Sequence, residues 1–440
     1  MKLEPLPTDP TQALRVRAHE LIPGGCHTYA KGDDQFPERS PPFIVRGAGC
    51  HVWDMHGSEF IEYGMGLRAV TLGHAFEPVL SAVRAQLSLG INFTRPAPIE
   101  VECAELLHSL IASAEMVKFC KDGSHAVDGA IRLARAYTGR DMLAVCGDHP
   151  FFSTSDWFIG TTEMNAGVPE STRRQIVKFR YNDIAGLDAL LQQFSGQIAA
   201  VIMEPARTEE PTPEYLQQLK ARIGASGALL IFDEMITGFR WHLKGAQHEY
   251  GVTPDLSTFG KAMANGFSVS ALAGRKEIMR LGGTDHTRER VFLLSTTHGA
   301  QTHELAAACA TMRYYESHPV VETLYARGAR LRRGIDQAVD AAGLGGHFEL
   351  LGRDCNLVFA TRDAEHQPSQ LFRTLFMQEM IKRGVIAPSF VVSYSHSESD
   401  IDRTIDAAAN AFRVYRGALT NGLDGLLEGR SVKPVFRRFS

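Results

Sequence analysis

The sequence predicts an α/β protein, a large domain on a mostly parallel sheet covered by helices, with a smaller α+β domain from the chain termini. Three observations predict it. From about residue 115, short apolar runs recur (MVKFC, MLAVC, AAVIM, ALLIF, SALAG), most of them separated by longer periodic stretches such as AVDGAIRLARAYTG. Apolar strand then helix, repeated, is the pattern of a sheet buried on both faces. Before that region, FIVRGAGCHVWDMHGSEFIEY at 43–63 alternates apolar and polar positions around Gly47, Gly49 and Gly57, as a small antiparallel meander does. Towards the carboxyl terminus the order becomes mixed. PVVETLYARGARLRRGIDQAVDAAG is helical, NLVFATR is a strand, and SESDIDRTIDAAANAFRVYRGAL is an amphipathic helix opened by a Ser/Asp-rich cap.

The expected divisions are therefore 1–65 for the amino-terminal segment and meander, 66–305 for the large domain, and 306–440 for the carboxyl-terminal α+β part. The 440 residues suffice for two or three domains. A net charge of −4 offers no basic face for nucleic acid, and no apolar run is long enough to cross a membrane. The polar start MKLEPLPTDPTQALRVRAHEL has neither the apolar core of a signal peptide nor the composition of a transit peptide. A cytoplasmic protein is expected. Seven scattered cysteines, an odd number with no CxxC pair, argue against a disulfide scaffold and against zinc; no metal is expected.

Ligands in such sheets bind beyond the carboxyl ends of strands, and three segments there hold candidate chemistry. In VKFCKDGSHAVDGAIRLAR a strand ends at Cys120, Gly123 and Ser124 follow, and a helix begins near His125. Such a turn is either an anion cradle or a plain helix cap. In ALLIFDEMITGFR, Asp233 stands at a strand's carboxyl end. A buried carboxylate there needs a partner, for which a protonated pyridine nitrogen serves; a capping aspartate is the alternative. In VTPDLSTFGKAMANGFSVSALAGR, small and apolar residues flank Lys261. Desolvation would lower its pKa and free a nucleophilic amine, whereas a surface lysine would stay charged.

Together and in this order the segments resemble one family, the class III (fold-type I) aminotransferases that use pyridoxal 5′-phosphate (PLP). The likeness is strongest to the glutamate-1-semialdehyde 2,1-aminomutase branch. It rests on LIPGG at 21–25, LGHAF at 72–76, AIRLARAYTGRD at 130–141, IMEP at 202–205, IFDEMITGFR at 231–240, GAQHEYGVTPDLSTFGK at 245–261 and DIDRTIDAA at 400–408. The resemblance implies the roles. Lys261 matches the lysine that holds PLP as an imine and then acts as base and acid. Asp233 matches the acid beneath the pyridine nitrogen, and Glu204 an active-site glutamate. Gly123 and Ser124 fall where the family holds the phosphate. Thr297, with Thr296 as its substitute, falls at the threonine that reaches the phosphate from the neighbouring subunit, which implies a homodimer with shared sites.

Three departures stand against the family pattern. His125 occupies the place of an acid, as a second cation beside the phosphate or as a surface histidine. The family's Tyr-His-Gly is absent, and CGDHPFFSTSDWF offers Phe151 or Phe152 as the ring-stacking aromatic. On the substrate side, Lys31 stands where the aminomutase has a carboxylate-gripping arginine, and Thr28 where it has a serine. GMGLR at 64–68 replaces Gly-Ser-Trp, bringing Arg68 either as an anion ligand or as the partner of a surface acid. The expected activity is amino transfer between a small-molecule amine donor and a carbonyl acceptor through pyridoxamine phosphate. An intramolecular aminomutase is the second reading and a non-catalytic PLP-fold protein the third.

Overall fold

The computed structural model describes residues 9–438; residues 1–8, the first part of the polar amino-terminal stretch, and residues 439–440 lie outside the described residues. In chain order the strands are β1 (Ile44–Ala48), β2 (His51–Asp54), β3 (Glu59–Glu62), β4 (Met116–Cys120), β5 (Met142–Cys146), β6 (Ile176–Phe179), β7 (Ile198–Met203), β8 (Leu229–Asp233), β9 (Leu256–Phe259), β10 (Ser270–Gly274), β11 (Phe348–Leu351), β12 (Val358–Thr361) and β13 (Val385–Ile386). The chain forms two compact units.

The larger unit holds Arg68–Thr71 and Glu77–Val321. Its seven-stranded sheet has the order β4-β10-β9-β8-β7-β5-β6. Neighbours from β9 to β6 pair in parallel, and only β10 runs against its two neighbours. Every residue of β7 and β8 is buried, which is why these strands read as unbroken apolar runs rather than alternating ones. On one face Tyr215, Leu216, Leu219 and Ile223 of helix Tyr215–Ser226 join Val201, Met203, Leu230 and Phe232 in one core cluster. Helix Gly123–Thr138 buries Val127, Ala130, Ile131, Leu133 and Ala134. Asp122 caps its start by accepting the His125 N–H at 3.0 Å, and Gly139 ends it in the left-handed conformation. This unit runs on to Val321, past the division expected at 305, because helix Thr302–Ser317 packs on helices Glu77–Leu87 and Pro98–Leu110.

The smaller unit joins both ends of the chain. The meander β1-β2-β3 is antiparallel, and β13 adds to it in parallel beside β3. β11 and β12 pair antiparallel. Helices Gln370–Ile381 and Glu398–Asn421 pack on one another. Phe348, Phe376 and Phe412 form an aromatic core, with Phe348–Phe376 and Phe376–Phe412 centroids 4.7 and 5.3 Å apart. Among the described residues no helix is long and apolar enough to cross a membrane.

Candidate active site

In the larger unit, the carboxyl ends of adjacent strands converge on one edge of the sheet. β8 ends on Asp233, Glu204 follows β7 directly, His149 lies three residues past β5, and Lys261 two residues past β9. β4 points the same way, since β10 is antiparallel to both β4 and β9, and leads into Gly123 and Ser124. Between β7 and β5 the strand order reverses, and such a switch point opens the crevice in which ligands of α/β sheets bind.

Asp233 is only 4 % exposed. The Met235 N–H (2.9 Å) and the Thr258 hydroxyl (3.2 Å) both donate to its Oδ1, and Oδ2 receives no donor among the described residues. Burial raises its pKa, opposed by the charge of Lys261 and by these two donors. Burial lowers the pKa of Lys261, opposed by Asp233 and Glu204. The lysine also has a φ of +46°, left-handed backbone that costs a non-glycine residue on the order of 1–3 kcal/mol and persists where the surroundings impose it. The backbone just before the lysine is closely packed. A Cβ on Gly260 would stand 2.5 Å from Ser270 Oγ and 2.7 Å from Met235 Sδ.

Glu204 is buried, and its pKa is pushed up to about 7. Burial is the largest cause and Asp233 adds to it, while Arg207, Lys261 and Arg68 oppose it. Its backbone N–H donates to His149 Nδ1 at 3.0 Å. Burial and the charge of Arg207 hold His149 at about 3, so the ring is neutral and carries its proton on Nε2. Arg68 is desolvated, and its pKa falls to about 10 through burial and the charges of Arg207 and Arg240. Arg240 is fully buried and donates to the Arg68 carbonyl (2.8 Å) and to Thr71 Oγ1 (2.9 Å).

The turn after β4 has the form of an anion cradle. Helix Gly123–Thr138 directs its first N–H groups outward, and no acceptor among the described residues takes those of Gly123 and Ser124. A Cβ on Gly123 would come within 3.0 Å of Met235 Sδ, so this one methionine side chain packs beneath both the cradle and the turn before Lys261. Ser124 Oγ accepts the Thr154 N–H at 3.1 Å. One turn further along the helix, the Asp128 carboxylate accepts from Ser153 Oγ (2.8 Å), Trp157 Nε1 (2.7 Å) and Ser155 Oγ. These bonds tie the segment after β5 to the cradle helix.

The other expected residues are distributed as follows. Phe152 is buried and Phe151 is 44 % exposed, and both pack edge-on to Phe158. The exposed His125 ring lies 2.9 Å from the capping Asp122, which already gives it an acidic partner. Thr296 and Thr297 are exposed, and the Thr297 carbonyl accepts from Asn92. Thr28 and Lys31 are exposed in the smaller unit. The sequence reading missed His149, Asp128 and Arg207. Only for His149 was there a signal, its place just beyond an apolar strand.

These residues suit PLP. Asp233 has an uncommitted buried oxygen for a ring nitrogen, Lys261 is a desolvated amine, and the cradle has open N–H groups for a phosphate. Together with the sheet they define the class, a fold-type I enzyme that depends on PLP. Comparison with known proteins narrows it. Residues 35–343 match the class-III aminotransferase family. A glutamate-1-semialdehyde 2,1-aminomutase of Desulforamulus reducens is 32 % identical over 426 residues, covering 92 % of this chain and 97 % of its own. The FumI protein of Sphingopyxis sp. MTA144, solved in its PLP internal aldimine form, superposes with a TM-score of 0.85 at 28 % identity, over 93 % of this chain and 97 % of that one. An omega-transaminase from Sphaerobacter thermophilus does so with a TM-score of 0.82 at 27 % identity, over 93 % and 99 %. The chain belongs to the class-III aminotransferases and is a PLP-dependent enzyme.

Proposed function

We propose that this enzyme moves an amino group between two molecules, an amine donor and a separate carbonyl acceptor, with Lys261, Asp233 and Glu204 as its catalytic groups. The observation that carries this reading is Lys31 in place of the aminomutase arginine. A single ammonium holds a carboxylate less firmly than the guanidinium fork. A mutase must retain its intermediate through both halves of the reaction, whereas a transaminase releases its first product.

When bound, PLP supplies an electron-accepting ring and a carbonyl carbon that takes up the amino group. Lys261 Nζ would take the proton from the donor's α-carbon and deliver it to the cofactor's former carbonyl carbon, and would move a proton the opposite way, onto the acceptor's carbon, in the second half-reaction. Asp233 Oδ2 keeps the ring nitrogen protonated. Gly123 and Ser124 hold the phosphate, with Thr297 or Thr296 contributed by a second copy of the chain and His125 at the rim. Phe151 or Phe152 would supply an aromatic face for the cofactor ring. Arg68, with Thr28 and Lys31, serves the substrate side, and the desolvated guanidinium favours an anionic or strongly polar acceptor. Glu204, poised near neutrality, exchanges a proton beside Lys261. The working enzyme is a cytoplasmic homodimer.

The test has two parts. Amine donors added to the PLP form should bleach its absorbance, and turnover should require a separate acceptor. Glutamate 1-semialdehyde given to the pyridoxamine form should yield 5-aminolevulinate with kcat/KM below about 10⁴ M⁻¹s⁻¹, the low end for a natural substrate. Efficient conversion without any second substrate would make the chain an aminomutase.

A further inference from the structure

Cys50, His51 and Asp400 lie in the smaller unit and belong to none of the groups described above. Cys50 immediately precedes β2, His51 opens it, and Asp400 is the third residue of helix Glu398–Asn421. His51 Nε2 is 3.1 Å from Asp400 Oδ1, and Cys50 Sγ is 3.4 Å from Asp400 Oδ2. A set of one ligand atom from each residue lies within 4.8 Å of one another. On the far side of the ring, His51 Nδ1 is 2.8 Å from Glu59 Oε1.

Both nitrogens of His51 thus face carboxylate oxygens. Three potential metal-ligand atoms and the nearby Glu59 carboxylate gather at one place, an arrangement that suits a cation. The surroundings are built to hold one. Asp400 is fixed from behind by the Ser397 N–H (3.0 Å) and hydroxyl (2.6 Å). Cys50 and Asp400 are 1 % and 7 % exposed, while the His51 side chain keeps 23 % of its surface, which leaves one open approach.

We propose that Cys50, His51 and Asp400 bind a divalent cation of the zinc type. Bonds of about 2.0–2.1 Å to nitrogen and oxygen and about 2.3 Å to sulfur put tetrahedral ligand atoms roughly 3.3–3.6 Å apart; His51 Nε2 stands 3.1 Å from one Asp400 oxygen and Cys50 Sγ 3.4 Å from the other, and one ligand atom from each residue lies within 4.8 Å of the rest, so small side-chain rotations bring the set to that spacing. On binding, the Cys50 thiol releases its proton to solvent and its sulfur bonds to the ion. His51 Nε2 donates its lone pair, which leaves the ring proton on Nδ1, 2.8 Å from Glu59 Oε1. A small turn of the ring would aim that proton at Glu59, in the carboxylate–histidine–metal arrangement that orients a ligand ring. Three protein ligands leave the fourth position to water, on the open side. The ion would pin the start of β2 to the amino end of the carboxyl-terminal helix. Residues 50 and 400 are too far apart in sequence for any spacing rule to reveal this site.

The PLP-loaded enzyme, freed of metals with a chelator, is titrated with Zn²⁺ and Cd²⁺. The expected result is one equivalent per chain, with a sulfur-to-cadmium absorbance in the ultraviolet below the cofactor bands. His51→Gln should weaken binding at least a hundredfold, Cys50→Ser should remove the sulfur band, and Glu59→Gln should weaken binding about tenfold, as loss of an orienting partner does. Circular dichroism and cofactor content report whether each variant is folded. X-ray absorption of the zinc-loaded wild type needs no variant and should show one sulfur in the zinc shell. An all-nitrogen/oxygen shell, no saturable uptake, or unchanged affinity in folded His51→Gln would overturn the proposal.

Discussion

Asp233 and Thr258 face each other in register on β8 and β9, and the Thr258 hydroxyl donates to Asp233 Oδ1 at 3.2 Å. Because Lys261 follows three residues after Thr258, the same register that orients the acid also brings the amine to the same sheet edge. Two strands thereby set the relation between the two groups, and the burial of both shifts each pKa towards its neutral form.

Asp233→Asn keeps an oxygen for Met235 and Thr258 but loses the charge that would hold a ring-nitrogen proton. Turnover should fall by roughly 10²-fold or more, the usual cost of removing one positioned catalytic group, with the variant still folded. Thr258→Val removes only the orienting hydroxyl and should cost far less. Steady-state rates of the two variants check this, and near-normal turnover in Asp233→Asn would mean that another acid serves the ring.

The raised pKa of Glu204 makes stability depend on pH in the cofactor-free chain. Its folded value is about 7 against an ordinary 4.5. Between those values the folded chain keeps a proton that the unfolded chain has released, so stability falls as pH rises through that window. The contribution is at most on the order of 3 kcal/mol. Urea unfolding of cofactor-free wild type and Glu204→Gln should give curves that converge towards pH 4.5 in slope and diverge towards pH 7. Parallel curves would contradict it.

Asp128 collects three side-chain donors from the segment after β5. Asp128→Ala would leave the buried Ser153 hydroxyl and Trp157 N–H without their acceptor, at about 1–3 kcal/mol for each group left unsatisfied. The variant should show a lower denaturation midpoint and faster loss of PLP on dialysis. Asp128→Asn should recover part of both.

Shared sites predict a complementation pattern. Lys261→Ala and Thr297→Ala enzymes should each be impaired, and mixing their subunits should restore a fraction of the sites, since one site of each hybrid dimer carries both residues intact. Activity that never exceeds the average of the two parents would argue that each chain completes its own site.

The ends of β5, β7 and β8 were legible because these strands are apolar runs, and Asp233 stood out just where one stops; β9 reads Leu-Ser-Thr-Phe, so Lys261 rested on its small and apolar flanks and on the family motif, and Glu204 on the resemblance alone. What stayed hidden depends on contacts between distant segments. Asp128 looks like an ordinary helical polar residue until residues 153–157 fold over it, and His149 acquires its neutral state only from burial beside Arg207. His125 was left open between two readings, and its pairing with Asp122 across one helical turn was not anticipated. The compact unit of the large sheet includes the Thr302–Ser317 helix, and nothing in that helix's own sequence tells which unit its apolar face will cover.

Whether Lys261 is the amine on which the cofactor acts can be tested directly. The PLP-loaded enzyme is reduced with borohydride and digested, and the peptide bearing the cofactor is located by mass spectrometry. One modified peptide is expected, with the cofactor on Lys261, and none in Lys261→Ala. Modification of a different lysine in the wild type, or undiminished labelling of the variant, would contradict it.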